Sequence, residues 1–462
     1  MTKPRPRSDQ EQAGRAAIEV EEEPFSPVAR GLGLPIGMRD ALQEEISEER
    51  ALGRAVSRTF ALYGYEEVGL PAFEYLDVIS RGLGHVGPEL LLRFVEPETG
   101  HIVALRPDMT PQVARLIASR WPDAPRPLRL SYLGNVLRRR PERARHDIEV
   151  VQCGIELVGD EGLEADLEVI SATLGAVRAA GLKDFVVDLA HGGIAHGLLS
   201  GVSGELRAAL LADLARKDQS RVASRAERGG LERELVRTLA ALPELQGGVE
   251  VIERARALPG FAPALPFVLE LSRLGERVAR AEDGPRVVFD LGETRPVPYY
   301  TGMMFQVLAE GPGQAVASGG RYDELYARFG VPRAAAGAAV NIDHLAWAVS
   351  LGRKEPPPRL RVLVFGAAEA PTNDEGQKGL ATLRAQGIPA APLFRATSRA
   401  DALEYARLGN YSFVAEMSGG ASVVLYRTST QAEVARGTFE QVAQFIVARS
   451  RAGDPAFGAL HG

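Results

Sequence analysis

Between Leu128 and Gly159 two extended segments, about 128–138 and 147–158, flank the loop Arg139-Arg140-Pro141-Glu142-Arg143-Ala144-Arg145-His146. That pattern reads as a long antiparallel hairpin with a basic tip, and it commits this part of the chain to a sheet. Side chains alternate along a strand, so Ile148, Val150, Gln152, Gly154 and Glu156 share one face. Val151, Cys153, Ile155 and Leu157 form the opposite, apolar face. The first face sets an amide and a carboxylate on either side of a glycine, and a glycine inside a strand often marks the close approach of a ligand. Such a space could hold a small zwitterion, with the carboxylate pairing to an imidazolium or ammonium. A solvated strand face is the other reading. On the partner strand, Arg138 shares a face with Val136, Gly134 and Tyr132, where it could pair with a carboxylate or phosphate. Arg139, Arg140, Arg143 and Arg145 read as a solvated basic loop.

Two further segments carry candidate chemistry. In Leu105-Arg106-Pro107-Asp108-Met109-Thr110-Pro111, Asp108 and Thr110 suit the start of the following helix; the functional alternative is an acidic group for a ligand's α-ammonium. Arg295 precedes Tyr299-Tyr300-Thr301-Gly302, a tyrosine pair that belongs either to core or interface or to a site wall. His191 and His196 stand five residues apart, a poor metal spacing on a helix, and no carboxylate cluster completes a site. No phosphate loop of the P-loop type is present.

Around these segments the apolar spacing predicts a helix from about Asp40 to Tyr63 ended by Gly64, a short strand at 66–71, and a helix from about Leu163 to Ala180 closed by Gly181. A helical insertion is expected over about 195–283, followed by strands at Arg286–Leu291 and Tyr299–Leu308. The pair Gly319-Gly320 precedes a predicted helix at about Tyr322–Phe329. Residues 1–30, rich in Glu, Arg, Pro and Gln, read as a disordered tail. Residues 31–350 read as the main domain, and Glu355-Pro356-Pro357-Pro358 as a linker. Beyond it, 359–449 alternates strand with helix as a small α/β domain.

Composition sets limits on this reading. With 462 residues the chain suits two or three domains. A net charge of −6 argues against a strongly basic nucleic-acid binder. Cys153 is the single cysteine, which excludes an internal disulfide and a cysteine-built zinc site. No apolar run approaches the roughly 20 residues of a membrane span, and the N-terminus lacks the apolar core of a secretory signal. The expectation is a cytoplasmic protein without a membrane partner.

Taken in order, the segments over about 34–346 resemble the catalytic core of class II aminoacyl-tRNA synthetases, specifically the histidyl enzyme. Leu34–Asp40 is similar to the family's opening. Gly64–Val68 with Leu70-Pro71 is similar to motif 1, the dimer interface, and Leu105–Thr110 to the amino-acid-binding segment. Asn135–Glu156 resembles motif 2, Tyr299–Phe305 the Tyr-Tyr-Thr-Gly segment, and Gly319–Asp323 the segment after it. The resemblance implies an α+β fold: a class II synthetase-like antiparallel sheet with flanking helices, plus a small C-terminal α/β domain similar to a worn anticodon-binding domain. It implies that histidine is held by Asp108, Thr110, Gln152, Glu156 and Tyr300, with Tyr299 beside them. Arg138 matches the motif 2 arginine, and Arg295 the arginine placed to assist activation.

The triphosphate machinery departs from the family. Asn341-Ile342-Asp343-His344-Leu345 puts a histidine where motif 3 carries an arginine, and an imidazole offers no permanent, forked positive charge. Arg140 replaces an acid in motif 2, and Arg295-Pro296-Val297-Pro298 replaces a segment ending in Asp. This mixture resembles the regulatory subunits of short-form ATP phosphoribosyltransferase, toward which Asp108-Met109-Thr110 also leans. That resemblance implies a non-catalytic protein without a cofactor, partnered with the short-form catalytic subunit and responsive to L-histidine. It also implies self-association through the motif 1-like region around Pro71, with tRNA not expected as a partner. The rival expectations are an active histidyl-tRNA synthetase and a non-catalytic tRNA-binding paralogue.

Overall fold

The computed structural model describes residues 33–84, 91–138, 148–281, 284–294, 299–352, 360–366, 373–394, 398–418, 422–454 and 457. The tail, the basic hairpin tip with Arg140, Arg295–Pro298 and the proline linker lie outside the described residues. The chain divides into two compact units, one ending at Leu351 and the other starting at Gly352.

The first unit is built on a nine-stranded sheet. Its order is Glu66–Glu67, Leu128–Leu137, Glu149–Val158, Ala335–Asn341, Ala317–Arg321, Met303–Leu308, Val186–His191, Arg286–Asp290 and Gln246–Gly247. All neighbours are antiparallel except Glu66–Glu67 beside Leu128–Leu137 and Val186–His191 beside Arg286–Asp290. The parallel pair needs a crossover, and the helical insertion supplies it: the helices between Gly192 and Ala279 lie between those two strands. The hairpin forms as expected, with Tyr132 opposite Gly154 and Gly134 opposite Gln152.

Alternation along the strands decides what each face buries. Cys153, Ile155 and Leu157 enter the larger core with Phe60, Val169, Phe305 and Leu345. Helices Gln43–Leu62, Leu163–Ala179, Leu265–Ala279 and Ile342–Leu351 cover that side. The first of these ends with Gly64 at φ +86° and the second with Gly181 at φ +100°, conformations that glycine adopts without strain. Leu130, Tyr132 and Val136 turn to the other side, into a smaller core with Met109, Val113, Tyr299, Tyr322 and Tyr326. A three-stranded sheet of Phe73–Tyr75, Ile102–Leu105 and Arg93–Val95 belongs to this unit as well. Arg106 ties it to the hairpin. Its Nη1 donates to the Leu70 and Pro71 carbonyls and its Nε to that of Asn135, at 2.8, 3.3 and 2.7 Å.

Three local expectations need correction. The strand expected from Tyr299 starts at Met303, because Thr301 and Gly302 both give their N–H groups to the Arg321 carbonyl. Gly319 and Gly320 do not precede a helix; they lie inside the strand Ala317–Arg321, and only a short 3₁₀ turn forms, at Tyr326–Phe329. In the second unit, strands Ala390–Pro392, Val362–Gly366, Phe413–Met417, Ser422–Arg427 and Glu433–Thr438 form one sheet in that order, the first three parallel and the rest antiparallel. Its last two strands and its closing helix Phe439–Arg451, capped by Thr438, lie beyond the alternation read from sequence. Among the described residues no helix is long and apolar enough to cross a membrane.

Phe305 is fully buried on a central strand, against the edge of Gly319. Phe305→Ala is expected to lower the first unit's unfolding free energy by about 3–5 kcal/mol, measured by urea denaturation followed by circular dichroism.

Candidate functional site

The polar face of the hairpin is buried. Glu156 has 0% and Gln152 8% of its surface exposed, so the solvated reading fails. Glu156 is the centre of the cluster. One carboxylate oxygen accepts the Thr110 hydroxyl at 2.7 Å, and the other accepts the hydroxyl of Tyr322. Burial pushes this carboxyl well above the ordinary range; the charge of Asp108 adds to the rise, and the Thr110 and Tyr132 hydroxyls oppose it.

Glycines clear the space for this arrangement, though not the space the sequence indicated. A methyl group on Gly154 would meet the Tyr132 ring and hydroxyl at 2.5–2.6 Å, so the gap read as room for a ligand is filled by the tyrosine opposite. Gly337, paired with Glu156 across the next strand, leaves room for the Glu156 carboxylate and the Tyr322 hydroxyl. Gly320 admits the Tyr300 ring, at 2.6 Å from where a methyl group would sit.

Asp108 performs the first of the two tasks considered for it, at the helix start. Oδ1 accepts the Met109 and Thr110 N–H groups at 2.7 and 3.4 Å, ordering the entry to helix Thr110–Arg120. Oδ2 accepts the Tyr299 hydroxyl at 2.8 Å. Arg138 donates to the Pro107 carbonyl and stands 3.8 Å from Asp108. Tyr299 and Tyr300 line the wall with Tyr322, their ring centroids 5.1 to 6.1 Å apart. The Gln152 side-chain oxygen is buried with no hydrogen-bond partner among the described residues, an acceptor available to a donor.

The structure thus brings Asp108, Thr110, Arg138, Gln152, Glu156, Tyr299 and Tyr300 to one side of the sheet, while Arg295 lies outside the described residues. Tyr322, Tyr132 and Gly337 were missed as site residues. The signal for Tyr132 was alternation on the hairpin itself; for Tyr322 and Gly337 it was alternation on the strands Ala317–Arg321 and Ala335–Asn341, which the helix expected at Tyr322 concealed. Together the groups offer two carboxyl groups, an amide oxygen, hydroxyls and one guanidinium, a set suited to a small zwitterion with a second polar end.

At the far end of the strand Ala335–Asn341 the geometry is different. Asn341 Oδ1 accepts the His344 N–H at 2.9 Å, and His344 Nδ1 lies 2.9 Å from the Ala315 carbonyl, so that the ring nitrogen donates to the backbone. Asp343 accepts Arg39 and the Val151 N–H, both at 3.1 Å. Among the described residues no group of three or more His, Cys, Asp or Glu side chains could hold a metal ion.

A family model described as histidyl-tRNA synthetase matches residues 37–345. A protein of Anaeromyxobacter sp. (strain Fw109-5), named ATP phosphoribosyltransferase regulatory subunit, is 42% identical over 71% of this chain and 97% of its own. A protein of the same name from Syntrophotalea carbinolica is 35% identical over 82% of this chain and 89% of its own. The crystal structure of an ATP phosphoribosyltransferase regulatory subunit/histidyl-tRNA synthetase from Bacillus halodurans C superposes with a TM-score of 0.72 at 30% identity, covering 86% of this chain and 100% of that one. Histidyl-tRNA synthetase from Nostoc sp. PCC 7120, at 20% identity and a TM-score of 0.73, covers 90% of this chain and 99% of that one and shares the class II synthetase fold.

Because the folded chain holds the Glu156 proton more tightly than the unfolded chain does, this group's contribution to stability falls as pH rises above the ordinary carboxylate range. Glu156→Gln keeps the shape without that titration. Its melting temperature is expected to gain on the native chain's as pH rises from 5 to 8, measured by calorimetry. Gly337→Ala, which drives a methyl group onto Glu156 and Tyr322, is expected to cost about 1–3 kcal/mol in urea unfolding.

Proposed function

Because the chain belongs to the family of ATP phosphoribosyltransferase regulatory subunits, built on the histidyl-tRNA synthetase fold, we propose that its buried pocket takes L-histidine and reports it to a catalytic partner. The protein is a regulatory subunit of ATP phosphoribosyltransferase and serves histidine biosynthesis. In this reading its partner is the short-form catalytic subunit, and it acts in the first step of the pathway and in feedback by histidine.

The observation that carries the reading is the contrast between the two ends of the site. At one end, the Glu156 carboxyl with Thr110 and Tyr322 about it suits an imidazole N–H. Asp108 and the Gln152 oxygen, which has no partner among the described residues, suit an α-ammonium, and Arg138 a carboxylate. Tyr299 and Tyr300 close the wall, and Arg295 completes the set by resemblance. At the other end, His344, which by resemblance stands where the synthetase carries the arginine that grips triphosphate, has its imidazole committed to the Ala315 carbonyl. Nucleotidyl transfer depends on positioning and neutralising phosphate charge, so this end supports binding without adenylation. Self-association around Pro71 belongs to the same proposal. Arg106 and Gln112 fix the Pro71 carbonyl, and Phe73 and Tyr75 are exposed beside it.

Reconstitution with a short-form phosphoribosyltransferase subunit is expected to raise its activity and confer inhibition by histidine, while the chain alone exchanges no pyrophosphate into ATP. Clear histidine-dependent exchange would overturn the non-catalytic reading. Glu156→Ala is expected to weaken histidine binding at least tenfold by calorimetry, in keeping with the ~1.5–3 kcal/mol of a hydrogen bond to a charged group.

A further inference from the structure

A buried imidazole stands where the helical insertion meets the strand beside the Tyr299–Gly302 segment. His191, 4% exposed, ends the strand Val186–His191. Its Nδ1 accepts the Gly193 N–H at 2.9 Å, which leaves the ring proton on Nε2. Nε2 faces Glu270 at 3.8 Å, an electrostatic contact longer than a hydrogen bond, and the ring lies on Phe267 with centroids 5.0 Å apart. Phe267 and Glu270 both belong to Leu265–Ala279, the insertion's last helix. Gly193 makes that approach possible, since a methyl group there would strike Phe267, and one on Gly197 would strike the Pro263 carbonyl beside it.

The next residue after His191 holds the pocket. The Gly192 N–H donates to the Gly302 carbonyl at 3.0 Å, and His191 pairs with Met303 in the sheet. From the other side, the Arg321 carbonyl accepts Thr301 and Gly302, and Arg321 is fixed by Asp166 and Asp323. The segment bearing Tyr299 and Tyr300 is therefore clamped between Arg321 and the His191–Gly192 corner. Filling the volume would need only an aromatic hydrocarbon; a ring that accepts on one edge and faces a carboxylate with the other fixes the position of two elements at once. The charged groups about Glu270 agree with this: His191, Arg321 and Arg273 together hold its carboxyl below the ordinary range.

We propose that His191 and Glu270 are positioning residues that hold the insertion's last helix against the Tyr299–Gly302 wall, so that ligand in the pocket and the state of the insertion are coupled. The inference rests on the pocket taking L-histidine. Coupling of this kind is reciprocal: whatever loosens the helix weakens the ligand, and the ligand tightens the helix.

His191→Asn keeps an acceptor for the Gly193 N–H but cannot reach Glu270, and Glu270→Ala removes the carboxylate from a half-exposed position. With the full chain, calorimetry of L-histidine binding and amide hydrogen exchange over 265–279 give the two readouts. Histidine is expected to slow exchange in that helix of the native chain. Each variant is expected to bind about fivefold more weakly and to lose the exchange response, with the double variant no weaker than either single one. Native-like binding with the response intact, or two effects that multiply, overturns the coupling. No histidine binding by the native chain overturns the pocket reading and this inference with it. Should His191→Asn fail to fold, Glu270→Ala decides alone.

Discussion

A carboxylate removed from water must find its partners inside the protein, and the first unit is arranged to provide them for Glu156. The hydroxyl of Thr110 comes from the start of a helix, that of Tyr322 from the end of a strand two places along the sheet, and Tyr132 from the other arm of the hairpin. The two tyrosines can approach only because Gly154 and Gly337 lack side chains. One buried acid thus fixes the relative placement of three stretches of chain widely separated in sequence. Two of those stretches, the 110 segment and the hairpin, line the proposed histidine site together with the 299–302 segment.

Support for this centre is charged as well as apolar. Arg321, itself buried, meets Asp166 at 2.7 Å and Asp323 at 3.0 Å. Burial outweighs the pull of Arg321 and pushes the Asp166 carboxyl up to about 6. A buried pair of this kind is weak evidence of net stability but strong evidence of a fixed arrangement, since either partner left alone is costly. Here it fixes the strand whose glycines receive Phe305 on one face and Tyr300 on the other. Arg106 does comparable work at the hairpin's edge, satisfying carbonyls where the short strand at Glu66 gives out.

Legibility from sequence followed the strength of local periodicity. The hairpin, its alternating faces and the helices ended by Gly64 and Gly181 follow from patterns that involve only neighbours. Gly154 was legible as a special position, but its purpose was not. A missing side chain admits whatever lies opposite, and that was Tyr132 rather than a ligand. Gly319 and Gly320 misled in the same way. Glycine pairs usually break elements, yet here each clears one face of a central strand for a ring brought from elsewhere in the sheet. The Tyr299–Tyr300 pair has strand propensity, but the Arg321 carbonyl captures the amides that follow it, and the strand starts late. Tyr322 could not be placed until its strand neighbours were known, because its partner lies 166 residues away.

A synthetase pocket and a sensor pocket need the same complementarity to the amino acid, but they differ in where the binding energy must go. An adenylating site has to hold a polyphosphate rigidly beside the carboxylate, which demands permanent positive charge at its phosphate end. A sensor has to make its ligand's affinity depend on the arrangement of its walls, because a ligand shifts only equilibria in which it prefers one state. Walls contributed by the 108–110 segment, the hairpin and the 299–302 segment meet that requirement, since none is held to the others by chain continuity. With His344 turned onto the Ala315 carbonyl, the phosphate end carries a backbone-bound ring in place of a free guanidinium. Under the proposed function, a lost grip on triphosphate would remove one demand for rigidity and leave the site's geometry free to follow the helices packed behind it.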